Sequence, residues 1–140
     1  MSRRILITGV SGFAGRYLAP LMQDNGFEVF GLVQRSLDPT IPGVDVIRQA
    51  DMRDIQTLSI VINDIQPTHI AHLAAISFVG HGDSREIYDV NVVGTKNLLT
   101  SLSKLNNKPE CILLCSSANV YGNSKGGALT ETELFNPSND

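Results

Sequence analysis

The chain has 140 residues, 42% apolar and 18% charged, with a formal net charge of −3. That length suits one domain with a sizeable core. The mild acidity offers no footprint for nucleic acid and no polybasic patch for a membrane surface, so neither is expected as a partner. After the N-terminal arginines only residues 5–7 form an apolar run before Thr8, too short for a signal peptide or a membrane span. Cys111 and Cys115 lie in one apolar run; as a strand it would hold their Cα atoms about 13 Å apart, beyond a disulfide. They read as two buried, reduced thiols of a cytoplasmic protein.

In chain order, residues 4–8 (RILIT) read as a strand closed by Gly9. Residues 13 to about 25 place Ala14, Leu18, Leu21 and Met22 at helical spacing, with Gly26 as the stop. Pro20 inside that helix predicts a kink or a tightened turn, because an interior proline costs about 3 kcal/mol. Residues 27–33 (FEVFGLV) are a second strand and residues 44–47 a weaker third, separated by the loop LDPTIPG. Residues 54–64 form an amphipathic helix with Ile55, Leu58, Val61, Ile62 and Ile65 on one face, and Pro67 prevents its continuation. Residues 68–73 (THIAHL) are strand four, residues 85–105 one long helix, and residues 111–115 (CILLC) strand five. Beyond Gly122 the sequence turns polar, with no later strand or long helix.

Strands alternating with helices, several of them apolar on both faces, predict an α/β fold with a doubly wound parallel sheet. Right-handed crossovers give the strand order 3-2-1-4-5. Between strand one and helix one lies TGVSGFAG, with Gly9, Gly12 and Gly15 as G-x-x-G-x-x-G. Glycines there allow a tight turn, a close approach of backbone to a pyrophosphate and close packing of helix on sheet. The helix N-terminus then offers free N–H groups and a positive dipole end to the phosphates.

Five motifs carry a resemblance: TGVSGFAG, ADMRD at 50–54, HLAA at 72–75, NVVGTKNLL at 91–99 and SSANVYG at 116–122. In order and spacing they resemble the extended short-chain dehydrogenase/reductases, in the nucleotide-sugar branch of epimerases, 4,6-dehydratases and 4-keto-6-deoxy-sugar reductases. The resemblance implies that residues 1–140 are an incomplete NAD(P)-binding Rossmann domain. It implies a dinucleotide laid across strands one and four, a nucleotide-sugar substrate and a homodimer. The phosphate turn would be Gly9, Ser11, Gly12, Phe13, Ala14 and Gly15. Asp51 and Met52 would flank the adenine. Leu73, Ala74 and Ala75 would line the inner ribose and pyrophosphate, and Asn91 would brace the central helix against strand four. Cys115 and Ser116 would complete the cofactor surface. No metal is implied.

Strand two ends in Gln34, Arg35 and Ser36, with no carboxylate before Asp38. An acid there would accept from the ribose hydroxyls of NAD(H) and repel a 2′-phosphate. The Arg35 guanidinium and the Ser36 hydroxyl suit that phosphate. NADP(H) is therefore the preferred cofactor, with NAD(H) as the alternative.

The stretch from Ser116 to Lys125 contains a serine, a tyrosine and a lysine four residues on, the working parts of this chemistry. Ser117 matches the family's serine at the end of strand five, which hydrogen-bonds the reacting oxygen. Tyr121 and Lys125 do not match the pair, because Gly122, Asn123, Gly126 and Gly127 around them encode turns rather than the helix that holds a tyrosine and lysine on one face. The true tyrosine and lysine are expected beyond Asp140, in a segment beginning near NPSND. The chain is thus expected to lack the catalytic helix and the substrate lobe, and to be inactive alone. Dehydratases of this branch carry an acid two residues before the tyrosine of V-Y-G, where this chain has Asn119. That favours a reductase or an epimerase over a dehydratase. A dinucleotide-sensing module without chemistry and an enzyme of non-sugar alcohols are the other readings.

Overall fold

The computed structural model describes residues 3–35, 40–77, 84–122 and 127–138. The elements are β1 (Arg4–Thr8), α1 (Phe13–Asp24), β2 (Glu28–Val33), β3 (Val46–Gln49), α2 (Ile55–Ile65), β4 (His69–His72) and α3 (Ser84–Tyr88). A π-helical segment, Asp89–Gly94, joins α3 to α4 (Thr95–Ser103). Then come β5 (Cys111–Leu114) and a short 3-10 turn, Ala118–Tyr121. The strands form one sheet in the order β3-β2-β1-β4-β5, as the alternation predicted, and every pairing is parallel.

Because side chains alternate along a strand, each inner strand feeds two cores. Ile5, Ile7 and Val29 pack with Ala19 and, at its margin, Leu18 and Met22 of α1. Leu6, Phe30, Leu32 and Ile70 pack with Leu58 and Ile62 of α2 and Leu98 and Leu102 of α4. Helices therefore cover both faces of the three central strands. The register aligns Thr8 with Leu32 on β2 and with His72 on β4, so the carboxyl ends of these strands open on the same edge.

Four expectations change. β3 begins at Val46, not Val44, because Asp45 anchors the entry: its N–H donates to the Val29 carbonyl (2.9 Å), and its carboxylate accepts from the Val29 N–H (2.7 Å) and the Gln23 amide (2.7 Å). α1 runs unbroken through Pro20. The carbonyl that Pro20 deprives of a helical partner belongs to Arg16, an exposed residue. The long helix is interrupted by the π segment, whose sequence DVNVVG is rich in poor helix formers. Cys111 and Cys115 are free thiols but exposed, because β5 is an edge strand whose four residues are all exposed. Among the described residues no helix is long and apolar enough to cross a membrane.

Candidate functional site

The carboxyl ends of β1, β2 and β4 enclose a cavity of about 310 Å³. Its first wall is the glycine turn. Gly9 sits at φ +69°, and a Cβ there would lie 2.7 Å from the Ala74 nitrogen, so only glycine lets β1 and β4 close on each other. The Gly12 N–H donates to the Gly9 carbonyl (2.9 Å), tightening the turn. A Cβ on Gly15 would meet the Val10 Cα at 2.5 Å, which is how closely α1 docks on the turn. Gly12 itself has extended backbone open to any residue, with a Cβ 3.1 Å from the Gly9 carbonyl oxygen. Its smallness therefore matters for the space in front of it. No side chain caps α1 and no acid occupies its first turn, so the helix presents unpaired N–H groups and an uncompensated positive end. Arg16 steadies the approach by donating to the Ser11 carbonyl (3.0 Å).

The second wall is the loop after β4. The Leu73 N–H donates to the Thr8 carbonyl (3.2 Å) and the Ala74 N–H to the Thr8 hydroxyl (3.2 Å). Farther along, the Asn91 side chain clips Ile76 at both backbone atoms, accepting from its N–H (2.8 Å) and donating to its carbonyl (3.0 Å). Asn91 thus holds the loop that leaves β4 rather than β4 itself. His72 lies buried between these clamps, and burial lowers its pKa from the ordinary 6.5.

The third wall carries charge. Asp51 accepts from the Arg53 N–H (2.9 Å), Nε (3.0 Å) and Nη2 (2.6 Å), and from the Gln34 amide (3.1 Å). The side-chain bonds from Arg53 chiefly hold its carboxyl well below the usual carboxylate range. Asp51 does not cap α2. That work belongs to Asp54, which accepts from the N–H groups of Gln56 (3.0 Å) and Thr57 (3.2 Å). Asn97 of α4 pins the intervening backbone by donating to the carbonyls of Met52 (3.0 Å) and Arg53 (3.2 Å).

Of the residues predicted from sequence, Gly9, Ser11, Gly12, Asp51, Met52, Leu73, Ala74 and Ala75 line this one cavity. Phe13 and Ala14 form the exposed first turn of α1, Gly15 is buried beneath it, and Asn91 stands behind the β4 loop. Arg35 is exposed directly after Gln34, with no partner among the described residues. Ser36 and Lys125 lie outside the described residues. Cys115, Ser116 and Ser117 follow β5, exposed and away from the cavity lining. The Ser117 hydroxyl oxygen accepts from the Asn119 N–H (3.2 Å). Tyr121 closes the 3-10 turn and packs on Phe135, ring centroids 5.8 Å apart, so no α-helix carries it.

Sequence reading missed Thr8, Gln34, Ile76 and Glu86 in the lining, and Asn97 behind it. Thr8 was legible in principle, as the polar residue ending an apolar strand beside the turn. Asn97 gave no local signal, since the carbonyls it binds, those of Met52 and Arg53, lie far along the chain.

The GDP-mannose 4,6 dehydratase family model matches residues 6–139. A GDP-6-deoxy-D-talose 4-dehydrogenase from Aggregatibacter actinomycetemcomitans is 35% identical over 97% of this chain and 42% of its own length. A GDP-mannose 4,6-dehydratase from Vibrio cholerae is 29% identical over 98% of this chain and 41% of its own. Among solved structures, a putative epimerase from Burkholderia cenocepacia superposes with a TM-score of 0.87 at 39% identity, covering 99% of this chain and 45% of that one. UDP-glucose 4-epimerase from Brucella ovis, solved with NAD, gives 0.82 at 26% identity, covering 97% of this chain and 42% of that one. The chain therefore spans under half the length of these relatives. With the parallel sheet, the glycine turn and the three-walled cavity already in register with that match, the chain belongs to the GDP-mannose 4,6-dehydratase family of nucleotide-sugar epimerases and dehydratases.

Proposed function

We propose that residues 1–140 form the dinucleotide-binding part of an NADP(H)-dependent enzyme that modifies nucleotide sugars, either a GDP-4-keto-6-deoxy-sugar reductase or a nucleotide-sugar epimerase. The observation that carries this reading is the uncapped N-terminus of α1 set across a glycine turn from the β4 loop, where Gly9 and Gly15 have no room for a Cβ. That cradle fits a pyrophosphate: N–H donors on one side, small Ala74 and Ala75 on the other.

When bound, the cofactor would supply the hydride chemistry. The chain's own residues orient it and exclude water. Asp51, kept ionised by Arg53, is an acceptor for the adenine amino group, and Met52 packs beside that ring. At the end of β2, Gln34 is neutral and donates to Asp51, and Arg35, which has no partner among the described residues, is the cation assigned to a 2′-phosphate. Ser117 is the hydrogen-bond partner of the reacting oxygen at the end of β5. Asn119 beside it cannot supply the acid that elimination of water needs, which argues against dehydration. The family resemblance supports a homodimer and a cytoplasmic setting. A second reading, a sensing module that binds the dinucleotide without chemistry, draws on one observation: Tyr121, which has a lysine four residues on, ends a 3-10 turn rather than lying on an α-helix.

Titration of the protein with NADPH and NADH tests the cofactor reading. NADPH should bind at least tenfold more tightly, as a charge-assisted contact worth about 1.5–3 kcal/mol requires. Arg35→Asp should invert the order. Equal affinity for both in the parent protein contradicts the assignment.

A further inference from the structure

A single buried imidazole joins the two clamps that shape the β4 loop. Thr8 Oγ1 lies 2.6 Å from His72 Nδ1, and His72 Nε2 lies 2.7 Å from Thr95 Oγ1. The Thr95 hydroxyl has one hydrogen, and it is donated to the Asn91 carbonyl (2.6 Å), which accepts only. Nε2 must therefore carry a proton and donate to Thr95. In the neutral ring Nδ1 is then bare, so the Thr8 hydroxyl donates to it. That leaves the Thr8 oxygen free to accept from the Ala74 N–H at 3.2 Å. Each donor finds an acceptor, and no buried side-chain nitrogen or oxygen is left unpaired among the described residues.

We infer that His72 is a positioning residue for the dinucleotide: as the neutral Nε2–H tautomer it directs the Thr8 hydroxyl and, through Thr95, the Asn91 backbone, so that Ala74 and Ile76 are held in the shape that receives the cofactor. The inference rests on the dinucleotide reading for its purpose, but the circuit itself does not. Asn91 joins both halves of the device. Its carbonyl ends the chain from His72, while its side chain clips Ile76 at 2.8 and 3.0 Å. Asn91 lies within the π segment, Asp89–Gly94. The reverse tautomer would leave Nε2 bare against a hydroxyl whose hydrogen is already committed. A second proton on Nδ1 would strand the Thr8 hydrogen, because the other neighbour of that oxygen is itself an N–H donor. His72 is 5% exposed, so water does not repair either fault.

The test uses the protein labelled with ¹⁵N-histidine. Two-bond ¹H–¹⁵N spectra at pH 7, with His72 identified by its loss in His72→Gln, should show Nε2 protonated and Nδ1 bare. An Nδ1–H tautomer or an imidazolium overturns the inference. Thr95→Val removes the acceptor of Nε2–H and should weaken NADPH binding about tenfold while speeding amide exchange at Ala74 and Ile76. Thr95→Ser restores the hydroxyl and should restore both. Unchanged affinity and exchange in Thr95→Val, or a loss that Thr95→Ser does not recover, overturns the positioning role. Should Thr95→Val fail to fold, the parent tautomer and the match of Thr95→Ser to the parent decide. If the parent binds neither NADPH nor NADH, the proposed function fails, while the tautomer and the two amides still decide the circuit.

Discussion

β4 (HIAH) and β5 (CILL) are neighbours in one sheet, paired Ile70 to Ile112 and His72 to Leu114, and β5 is the more apolar of the two. Their environments are opposite. Ile70 and Ala71 are each 2% exposed, whereas Ile112, Leu113 and Leu114 are 39%, 51% and 44% exposed. β4 has a strand on each side and helices above and below. β5 has one strand partner and stands at the edge. An apolar run therefore encodes a strand, while burial is set by what flanks it. The same contrast passes to the segments that follow. The loop after β4 is fixed by bonds from Leu73, Ala74 and Ile76. The segment after β5 is tied by Cys115 to the His72 carbonyl (3.3 Å) and by the turn at Ser117.

The largest expected effect probes the contrast directly. Ile70→Ala should cost about 2–5 kcal/mol, as a buried branched side chain does when its cavity cannot fully collapse. Its register partner Ile112→Ala should cost less than about 1 kcal/mol, since much of that side chain already meets water. Denaturant melts of the two variants decide. Similar losses would mean that β5 is covered in solution.

Next comes the chemistry assigned to the looser side. In an enzyme that carries these residues together with the segment its relatives place after them, Ser117→Ala should raise the activation barrier by roughly 2–4 kcal/mol. Tyr121→Phe should leave turnover within about tenfold, because a phenol ending a 3-10 turn against Phe135 is not held toward the cavity. Steady-state rates of both variants give the comparison. A collapse confined to Tyr121→Phe would make the local Tyr121–Lys125 pair the working one.

Much of the β1–β4 side was legible because its signals are local. Strand–glycine turn–helix is written contiguously from Arg4 to Gly15, and periodicity located the five strands, α1 and α2 to within a few residues. What escaped was decided between distant residues. The π segment exists where Asn91 and Thr95 commit to Ile76 and His72, partners that no window of sequence contains. The bonds of Asp51 with Arg53 are local but gave no sequence signal: Arg53 two residues on takes its carboxylate, and Asp54 caps α2. The exposed cysteines followed from the position of β5 at the sheet edge, which a strand's own residues do not encode.

The smallest effect is a pH dependence that belongs to the β1–β4 side. Burial lowers the His72 pKa from 6.5, so below that value the unfolded chain binds a proton that the folded chain refuses. Stability is then complete above about pH 6.5 and falls as pH drops toward the lower folded value, with a slope of at most about 1.4 kcal/mol per pH unit for one proton. Asp51 has the same sign in another window: Arg53 lowers its folded pKa below 3.8, so its contribution holds above that value and is lost in stronger acid. Unfolding midpoints measured from pH 7.5 to 5 should therefore decline in the parent and decline less steeply in His72→Gln, whatever that variant's stability at pH 7.5. The neighbours that the ring touches through its nitrogens, Thr8 and Thr95, carry no charge, so added salt should leave this slope nearly unchanged. An identical slope in parent and variant would place the acid-sensitive group elsewhere and remove the buried neutral imidazole from the account of how the cavity is held.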